Sequence, residues 1–391
     1  MSEAAPRDVV VVGGGPAGSA TAARLADAGH CVLLLDRAHF PRPKPCGECL
    51  NPAAVAALAA LGVLGAVQAA GPARLRGWRI QPHDSLAFSG SFPDDVNGFA
   101  LSRAVLDEIL LDHARSRGVV VRMGEQVTDL LWSDGFVVGV RTRAEEIRAR
   151  LVVGADGLRS IVVRKLNLLR RPPRLRKLAL AAHVRGVGDL DEQGVMYVHE
   201  GGCVGVAAVG DGTANIVVVA EGEEAAHVAG NRNGYFDRTV RRYPALSAAE
   251  RIEEVLATGP FDWPTRGAVA DGALLVGDAA GYYDPFTGQG VFRALRGAEL
   301  AAGTAGAALR HGDVSAAALA PYERARRRGF GPGERVQRLV EFFVARPDLL
   351  KAVAGRLARR PALADAVIAV TGDLKPVRSL LSPRVLARWV F

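Results

Sequence analysis

A glycine-rich turn near the amino terminus constrains the fold of this chain more than any other feature. The apolar run Asp8–Val12 has the length and β-branched character of a buried strand, and it leads directly into the turn at 13–18. The Ala-rich stretch Ser19–Ala28 then predicts a helix, and a second strand-like run follows at Cys31–Leu35. A strand, tight turn, helix and second strand in this order predict a βαβ unit of a parallel sheet.

The glycine spacing within this unit matches a dinucleotide-binding site. Gly13, Gly15 and Gly18 follow the pattern G-x-G-x-x-G, and Asp36 ends the second strand 18 residues after the last glycine. Such glycines let backbone N–H groups approach a pyrophosphate, while the carboxylate accepts hydrogen bonds from a ribose. The pattern by itself fits both NAD and FAD. The candidate binding residues of the unit are Gly13, Gly15, Pro16, Ala17, Gly18, Asp36 and Arg37.

Beyond this unit, helical segments are followed by a block of strands. Alternate prolines in Phe40–Cys49 favour an extended path, whereas Ala53–Leu61 and Leu101–Arg117 have helical spacing. Strand-like runs follow at Val119–Met123, Phe136–Arg141, Ile147–Val153, Gly194–His199, Val204–Val209 and Asn215–Ala220. The last three of these predict a separate antiparallel sheet inserted in the chain.

The carboxy-terminal part of the chain is helical in pattern and basic. A buried strand at Ala273–Asp278 precedes a long Ala-rich helix predicted at Val291–Leu309. Residues 321–391 carry 15 Lys and Arg against 6 Asp and Glu, or +9, whereas the whole chain carries +8. The basicity therefore belongs to this last segment. It is predicted to form amphipathic helices broken at Pro332, Pro347, Pro361 and Pro383.

Two later segments show which family the chain resembles. Residues 154–160 read Gly-Ala-Asp-Gly-Leu-Arg-Ser, and residues 277–280 read Gly-Asp-Ala-Ala. They are similar to the GADGxxS and GDAA segments of FAD-dependent class A flavin monooxygenases and their geranylgeranyl-reductase relatives. The motifs occur in the order of that superfamily, and the resemblance covers roughly the first 310 residues.

The resemblance implies an α/β fold. It consists of a Rossmann-like FAD-binding domain of the GR2 type, an inserted antiparallel-sheet substrate domain and a C-terminal helical region. FAD-binding parts are expected at 1–80, 101–177 and 266–320. A substrate-domain segment is expected at 81–100, the substrate-binding sheet at 178–265 and the basic helical region at 321–391.

The resemblance also extends the predicted FAD site. Asp278 follows a buried strand, where ligands lie in parallel sheets, and is expected to bond the ribityl chain. The N–H groups of residues 288–291, ahead of a long helix, are expected to face the charge that develops at N1 and O2 of reduced flavin. The resemblance implies that Arg103 matches an arginine near the FAD phosphate or the flavin. It also implies that Asp156 with Gly157 lies against the cofactor, where the pair can also touch NAD(P)H. The residues added are Cys46, Gly47, Arg103, Asp156, Gly157, Gly277, Asp278, Pro285, Gly288, Gln289 and Gly290.

Cys46 and Cys49 form a CxxC pair that has three interpretations. Structural zinc requires two more ligands, but Cys31 and Cys203 are isolated in the sequence, so no metal site is predicted. A redox-active dithiol that passes electrons to flavin is chemically possible. The resemblance instead implies one cysteine beside the flavin, and Cys46 occupies that position.

Three residues with useful chemistry are left outside the predicted site, and no catalytic residue is assigned. In the resembled family an arginine often stands three residues after the serine, but here that position is Val163 and the arginine is Arg164. His183 and His199 lie on the predicted substrate sheet, where a lone histidine is more often structural.

The flavin reaction itself is open to alternatives. The expected function is an NAD(P)H- and O2-dependent monooxygenase of natural product biosynthesis, which hydroxylates a hydrophobic aromatic or polyketide-like molecule through a flavin C4a-hydroperoxide. Residues 203–210 lack the tryptophan and proline of motifs typical of geranylgeranyl reductases and halogenases, whereas residues 284–290 resemble the geranylgeranyl-reductase branch. An FAD-dependent ene-reductase or dehydrogenase of an isoprenoid or lipid is one alternative. A flavin-binding regulator with a nucleic-acid-binding tail is the other.

Composition and charge limit the partners and the compartment. Every apolar run is interrupted by charged residues before it reaches about 18 residues, and the amino terminus lacks a secretory pattern. Four cysteines do not make a disulfide framework, so a cytoplasmic protein is expected. Aromatic residues are not interleaved with the tail arginines, which argues against nucleic acid. The basic helices carry Leu339, Phe342 and Phe343 on the other face, so peripheral membrane contact is an open alternative. The oligomeric state is open as well.

Overall fold

The computed structural model describes residues 7–93, 95–228 and 230–381. In chain order its strands are β1 Arg7–Val12, β2 Val32–Asp36, β3 Cys49–Leu50, β4 Ala73–Leu75, β5 Gly77–Pro82, β6 Phe88–Ser91, β7 Gly98–Ala100, β8 Val120–Met123, β9 Asp129–Ser133, β10 Phe136–Arg141, β11 Glu146–Gly154, β12 Lys177–Arg185, β13 Gln193–His199, β14 Gly202–Gly210, β15 Thr213–Glu221, β16 Glu250–Arg251, β17 Leu256–Thr258, β18 Val269–Ala270 and β19 Ala273–Leu275. Its α-helices are α1 Pro16–Asp27, α2 Pro52–Leu61, α3 Leu64–Ala69, α4 Arg103–Ser116, α5 Ile161–Lys165, α6 Gly222–His227, α7 Arg232–Val240, α8 Gly290–His311, α9 Ala316–Val344, α10 Pro347–Ala358 and α11 Pro361–Thr371.

The first sheet is the one that the glycine-rich turn predicts. Its order is β18-β19-β11-β1-β2-β8, and the central pairs β11–β1, β1–β2 and β2–β8 are parallel. Helix α1 connects β1 to β2 and packs against α4 and α8. Valines 9 to 11 are fully buried, which shows that β1 lies in the centre of the core. A strand of a parallel sheet that is covered on both faces typically has such a continuous apolar run.

The second sheet is the inserted, mainly antiparallel sheet. Its order is β16-β12-β15-β14-β13-β5-β6, with β17 beside β12. Alternate residues of β15 face opposite sides, so Ile216 and Val218 pack in a cluster with Phe236 of α7, whereas Val217 and Val219 face the opposite side. The predicted domain boundary between residues 80 and 81 falls inside β5, which pairs with β13 over 77–82. That boundary is corrected to about residue 76, because β5 has a partner in this sheet from its first residue.

The carboxy-terminal helices differ from the predicted pattern at one proline. Helix α9 runs without interruption from 316 to 344 through Pro332, and the predicted boundary at residue 321 lies inside it. Tyr322 and Phe330, both buried, anchor the helix ahead of Pro332, the former by donating a 2.7 Å hydrogen bond to the Leu275 carbonyl. These tertiary contacts compensate for the N–H that proline lacks. Pro347 and Pro361 do begin α10 and α11, and position 383 lies outside the described residues.

Helix α11 lies directly on strand β6, and the contact depends on a glycine. A Cβ at Gly90 would lie 2.6 Å from the carbonyl oxygen of Ala364 and 2.5 Å from a side-chain carbon of Ile368. The helix therefore covers the edge strand of the second sheet. Across the described ranges, no helix is both long enough and apolar enough to cross a membrane.

The Gly90 contact yields a prediction about stability. G90A should lower the free energy of unfolding by about 1–3 kcal/mol, because the added methyl group meets backbone that cannot move independently. In the matched variant G303A, the new methyl group meets nothing within 4 Å in the interior of α8, so stability should rise by about 0.5–1 kcal/mol. Urea denaturation of both variants measures the two effects. Equal stability of G90A and the wild type would contradict the packing of α11 on β6.

Candidate active site

A cavity of about 940 Å³ lies where the carboxyl ends of the first sheet meet the second sheet. Ligands of open parallel sheets bind at this edge. Most of the residues predicted from the sequence line it, although they come from separate parts of the chain. Those on its wall are Gly13, Gly15, Pro16, Ala17, Asp36, Arg37, Cys46, Gly47, Arg103, Asp156, Gly157, Gly277, Asp278, Pro285, Gly288 and Gly290. Two others, Gly18 and Gln289, are not part of the wall.

The three glycines of the first turn have different physical roles. Gly13 has a φ of +105°, and a Cβ there would lie 2.5 Å from the carbonyl oxygen of Ala155. A Cβ on Gly18 would lie 1.8 Å from the carbonyl oxygen of Gly13, so this glycine lets α1 pack against the turn. Gly15 has extended backbone and faces open space, with the Arg42 guanidinium 3.6 Å from its Cβ position. Gly15 is therefore the position where a ligand can approach the backbone.

Asp36 is held by the turn that it follows. Its carboxylate accepts hydrogen bonds from the N–H groups of Gly14 at 2.7 Å and Ala38 at 2.8 Å. A carboxylate offers about four lone-pair sites, so acceptor capacity remains toward the cavity. Binding of a ribose by Asp36 remains a prediction that this geometry supports.

Asp156 combines a capping role with a free oxygen. One carboxylate oxygen accepts a 2.6 Å hydrogen bond from the N–H of Ile161, in the first turn of α5, and Ser160 caps the same helix. The other oxygen is buried and has no hydrogen-bond partner among the described residues. Burial raises the pKa of Asp156. Since a buried unpaired acceptor is costly, this oxygen indicates that a ligand donates to it.

The Gly277–Asp278 turn packs on α1. Gly277 has a φ of +65°, and a Cβ there would lie 2.7 Å from the Cβ of Ala17. Asp278 lines the cavity, and no described residue hydrogen-bonds to its side chain. Burial raises its pKa, which the positive charges of Lys44 and Arg103 oppose. The carboxylate is thus available to a ligand with hydroxyl groups.

The side chain of Gln289, whose backbone N–H is predicted to face the flavin, is bound by the protein itself. Its side chain points away from the cavity and donates to the Thr371 carbonyl at 3.1 Å and to Asp373 at 2.8 Å. It also accepts a 3.0 Å hydrogen bond from Gln337 of α9. Burial raises the pKa of Asp373 to about 7. Gln289 therefore ties the loop 284–290 to the carboxy-terminal helices, because buried polar partners from α9 and the end of α11 lie on that side.

A group of basic residues was only partly predicted. Arg103 makes a bidentate ion pair with the fully buried Asp107, at 2.7 and 2.8 Å. Arg42 reaches the same carboxylate at 3.4 Å and lies beside Gly15. Burial lowers the pKa of Arg103, but the charges and hydrogen bonds of Asp107 and Cys46 together outweigh this effect, so the pKa is raised. The i,i+4 spacing of Arg103 and Asp107 is a sequence pattern that favours an ion pair on one helix. Arg42 is distant from both residues in the sequence, and no pattern predicts its contact with Asp107.

Glu48 lies in the loop between β2 and β3, which lines the cavity, and it connects this loop to α4 and to the second sheet. This buried residue has a φ of +59°, and its carboxylate accepts from the backbone N–H of Arg103 at 2.7 Å and pairs with His183 of β12 at 2.7 Å. The second ring nitrogen of His183 lies 2.9 Å from Glu253. The hydrogen bond to Glu48 raises the pKa of His183 to about 9 despite the opposing effect of burial. No sequence signal connected these three residues.

The two cysteines of the CxxC pair are in different environments. Both thiols are free in the structure. Cys49 is buried and donates to the Gly47 carbonyl at 3.1 Å, and burial raises the pKa of its thiol. Cys46 is half-buried, and the N–H of Glu48 donates to its sulfur at 3.4 Å. Among the described residues no group of three His, Cys, Asp or Glu side chains is arranged to hold a metal ion.

Arg164, which lies outside the site that the sequence predicts, is on the cavity wall with Arg159. The short helix α5 begins three residues before Arg164 and turns its exposed side chain toward the opening. Arg164 is therefore a candidate for contact with a ligand in the cavity, although the family spacing places it outside the FAD site. Its position follows from the cap that Ser160 provides to α5, which sets the direction of the helix.

The donor and acceptor groups of the wall fit FAD. The open face of Gly15 beside Arg42 suits a pyrophosphate, while the unpaired oxygen of Asp156 and the free carboxylate of Asp278 suit hydroxyl or N–H donors. Gly288 and Gly290 at the start of α8 also leave open space around their backbone. These groups would hold the dinucleotide, since each of them is unengaged by the protein or faces open space.

This division of roles predicts how two glycine variants differ. G15A should leave the folded apoprotein intact but weaken FAD binding by at least about tenfold, because a methyl group enters the space of the pyrophosphate. G18A should lower the thermal stability of the apoprotein, since its Cβ would overlap the Gly13 carbonyl. Flavin fluorescence titration and thermal melts measure the two outcomes. Unchanged FAD affinity in G15A would place the pyrophosphate elsewhere.

The Glu48–His183 pair predicts a pH-dependent contribution to stability. Because the folded-state pKa of His183 lies at about 9, above the unfolded value, the stabilisation is complete below about pH 6.5 and is lost as the pH rises through about 9. The stability difference between the wild type and H183Q should therefore shrink by roughly 3 kcal/mol from about pH 6 to about pH 9.5. H199Q is the control, since burial lowers the pKa of His199 and no alkaline loss follows. Parallel pH curves for wild type and H183Q would refute the ion pair.

Comparisons with known proteins agree with this site. The family described as FAD binding domain matches residues 7–331. Digeranylgeranylglycerophospholipid reductase 1 of Methanopyrus kandleri is 32% identical over 334 residues, which are 81% of this chain and 84% of that protein. Digeranylgeranylglycerophospholipid reductase 1 of Methanothermobacter thermautotrophicus is 32% identical over 344 residues, covering 83% of each chain.

Solved structures share the architecture. The myxobacterial chondrochloren halogenase superposes with a TM-score of 0.78 at 28% identity, covering 86% of this chain and 82% of the halogenase. A geranylgeranyl bacteriochlorophyll reductase-like protein from Thermoplasma acidophilum superposes with a TM-score of 0.80 at 23% identity, over 96% and 98% of the two chains, which shows the fold alone. The chain therefore belongs to the FAD binding domain family and is an FAD-dependent oxidoreductase of the superfamily that contains the class A flavin monooxygenases and the geranylgeranyl reductases.

Proposed function

We propose that this protein is an FAD-dependent reductase that saturates carbon–carbon double bonds in the isoprenoid chain of a lipid. The observation that carries the proposal is the apolar wall that the second sheet gives to the cavity. The two relatives described above, both digeranylgeranylglycerophospholipid reductases, support the same class of reaction. They favour this alternative over the monooxygenase that the sequence led us to expect.

The apolar wall is built from one face of the second sheet and the segments that cover it. Its members are Trp78, Ala179, Ala181, Met196, Cys203, Val217, Val219, Phe261, Tyr282 and Phe286. A hydrocarbon chain against such a wall gains about 0.8 kcal/mol for each buried methylene group. An isoprenoid chain, with many methylene and methyl groups and no polar atoms, matches this surface.

Two polar side chains in the same region, Lys177 and Asn215, are already engaged by the protein. Lys177 is buried and surrounded by three carboxylates, Glu221 at 3.0 Å, Asp284 at 3.3 Å and Glu341. Asn215 donates a 2.7 Å hydrogen bond to the Cys46 carbonyl. Neither side chain requires a polar substrate to satisfy it, which supports an apolar occupant.

The protein must also supply a proton near the flavin. Bound reduced FAD supplies a hydride to one carbon of a double bond, so the other carbon needs a proton. The thiol of Cys46 lies on the cavity wall, with its sulfur oriented by the N–H of Glu48. We propose that Cys46 is the proton donor and that its sulfur holds this proton. The apolar wall excludes water from the reacting carbons.

Product analysis without oxygen tests the reaction. A lipid with geranylgeranyl chains is incubated anaerobically with the FAD-loaded protein and a reductant. The reductant is either NAD(P)H, which we propose as the natural one, or dithionite. Each reduced double bond should add two hydrogen atoms to the product, as measured by mass spectrometry. A product that gains an oxygen atom, and only when O2 is admitted, would overturn the reductase proposal in favour of the monooxygenase.

The two cysteines give a matched test of the proton source. C46A should lower the rate of substrate reduction at least about a hundredfold in protein that is saturated with FAD, because proton transfer loses its donor. C49S keeps the hydrogen bond to the Gly47 carbonyl and should retain activity. Full activity in C46A would exclude Cys46 as the donor. Equal loss in C49S would indicate a dithiol.

A further inference from the structure

The corner between α9 and α10 exposes a cluster of large apolar side chains. Leu339, Phe342 and Leu349 are 55%, 45% and 42% exposed. They are three of the nine large apolar side chains that the described part of the chain leaves exposed, and they fall within eleven consecutive positions. Clustered exposure of this kind marks an interaction surface, whereas single exposed side chains are normal.

Arginines surround these side chains. Arg335, Arg338, Leu339 and Phe342 recur at helical spacing and share one face of α9, and Arg346 follows just beyond the helix. The Arg346 guanidinium lies 3.8 Å over the ring of Phe342, and that of Arg338 lies 5.6 Å over the ring of Tyr283. In the described structure none of the three arginines forms a salt bridge with a carboxylate. Their charge is therefore available to an anionic partner.

The acidic residues of α9 in this region point inward. Glu334 pairs with Arg293 of α8 at 2.6 Å, and Glu341 pairs with the buried Lys177. At the start of α10, Asp348 is the one acidic residue near the corner that the described structure leaves exposed. The charge of the outer surface is consequently almost entirely positive, although the helices themselves contain both signs.

We propose that this surface, defined by Arg335, Arg338, Leu339, Phe342, Arg346 and Leu349 and called the α9–α10 corner, docks on an anionic lipid bilayer. A bilayer interface accepts the apolar side chains and the arginines together, the former among acyl chains and the latter at phosphates. Arg346 covers one face of the Phe342 ring, which leaves that ring poorly placed to stack on a base. The mixed surface therefore fits a bilayer better than a nucleic acid.

The inner side of the corner belongs to the substrate region. Val340, Val344 and Leu350 pack in the same apolar cluster as Phe261 and Phe286, which line the cavity. Docking would hold the body of the protein, and with it the apolar wall, beside the membrane. The proposal is independent of the reaction, since bilayer binding is measured without turnover.

Vesicle sedimentation of the FAD-loaded, full-length protein tests the proposal. Wild-type protein should sediment with vesicles made from a three-to-one mixture of phosphatidylcholine and phosphatidylglycerol, bind pure phosphatidylcholine weakly, and dissociate as salt is raised. The variant L339S/F342S/L349S should bind the anionic vesicles at least about tenfold more weakly. The matched control W132S/F136S/I252S removes three exposed apolar side chains from elsewhere and should bind as the wild type does.

A second pair of measurements separates the corner from general basicity. R335E/R338E/R346E should abolish binding to the anionic vesicles, and thermal melts with FAD absorbance should show that all variants remain folded and loaded. Equal binding by the corner and control variants would overturn the proposal, as would failure of the wild type to bind anionic vesicles. Retention of RNA that is abolished by the arginine variant, without vesicle binding, would identify nucleic acid as the partner and also refute it.

Discussion

The buried carboxylate of Glu48 is the interaction on which the arrangement of the two sheets depends. It bonds the N-terminal N–H of α4 in the FAD-binding part and the imidazole of His183 in the second sheet. Removing one partner of such a buried charged pair leaves the other uncompensated, so the contact favours a single relative placement of the sheets. The Cys46–Glu48 loop consequently lies at the boundary between the predicted flavin site and the apolar wall.

The carboxy-terminal helices contribute to the same boundary from the other side. Glu341 of α9 enters the buried group around Lys177, and Gln337 reaches the loop 284–290 through Gln289. The region is therefore part of the enzyme core and not an appended tail. Turning its acidic side chains inward also separates charge, which leaves arginines on the surface that faces solvent.

Local patterns in the sequence predicted the central elements because their causes are local. The valines of β1, the glycines of the first turn and the alternation in β15 each report burial or backbone geometry at their own positions. Glu48, His183 and Lys177 could not be identified in this way, since their partners are distant in the sequence. Glu48 and His183 lie 135 residues apart, and Lys177 lies 164 residues from Glu341. Pro332 was misread for a similar reason, because contacts with β19 and α8 sustain a helix that proline alone would end.

The sequence by itself determined the FAD-binding fold and the position of the glycine-rich turn, because strand, turn and helix are encoded in consecutive residues. Only the tertiary structure decided which side chains meet in the cavity, which oxygen of Asp156 remains free and which way Gln289 points. It also decided that one face of the second sheet is an apolar wall and that the positive charge lies on one corner. These properties depend on partners from distant segments, whose distances no local pattern contains.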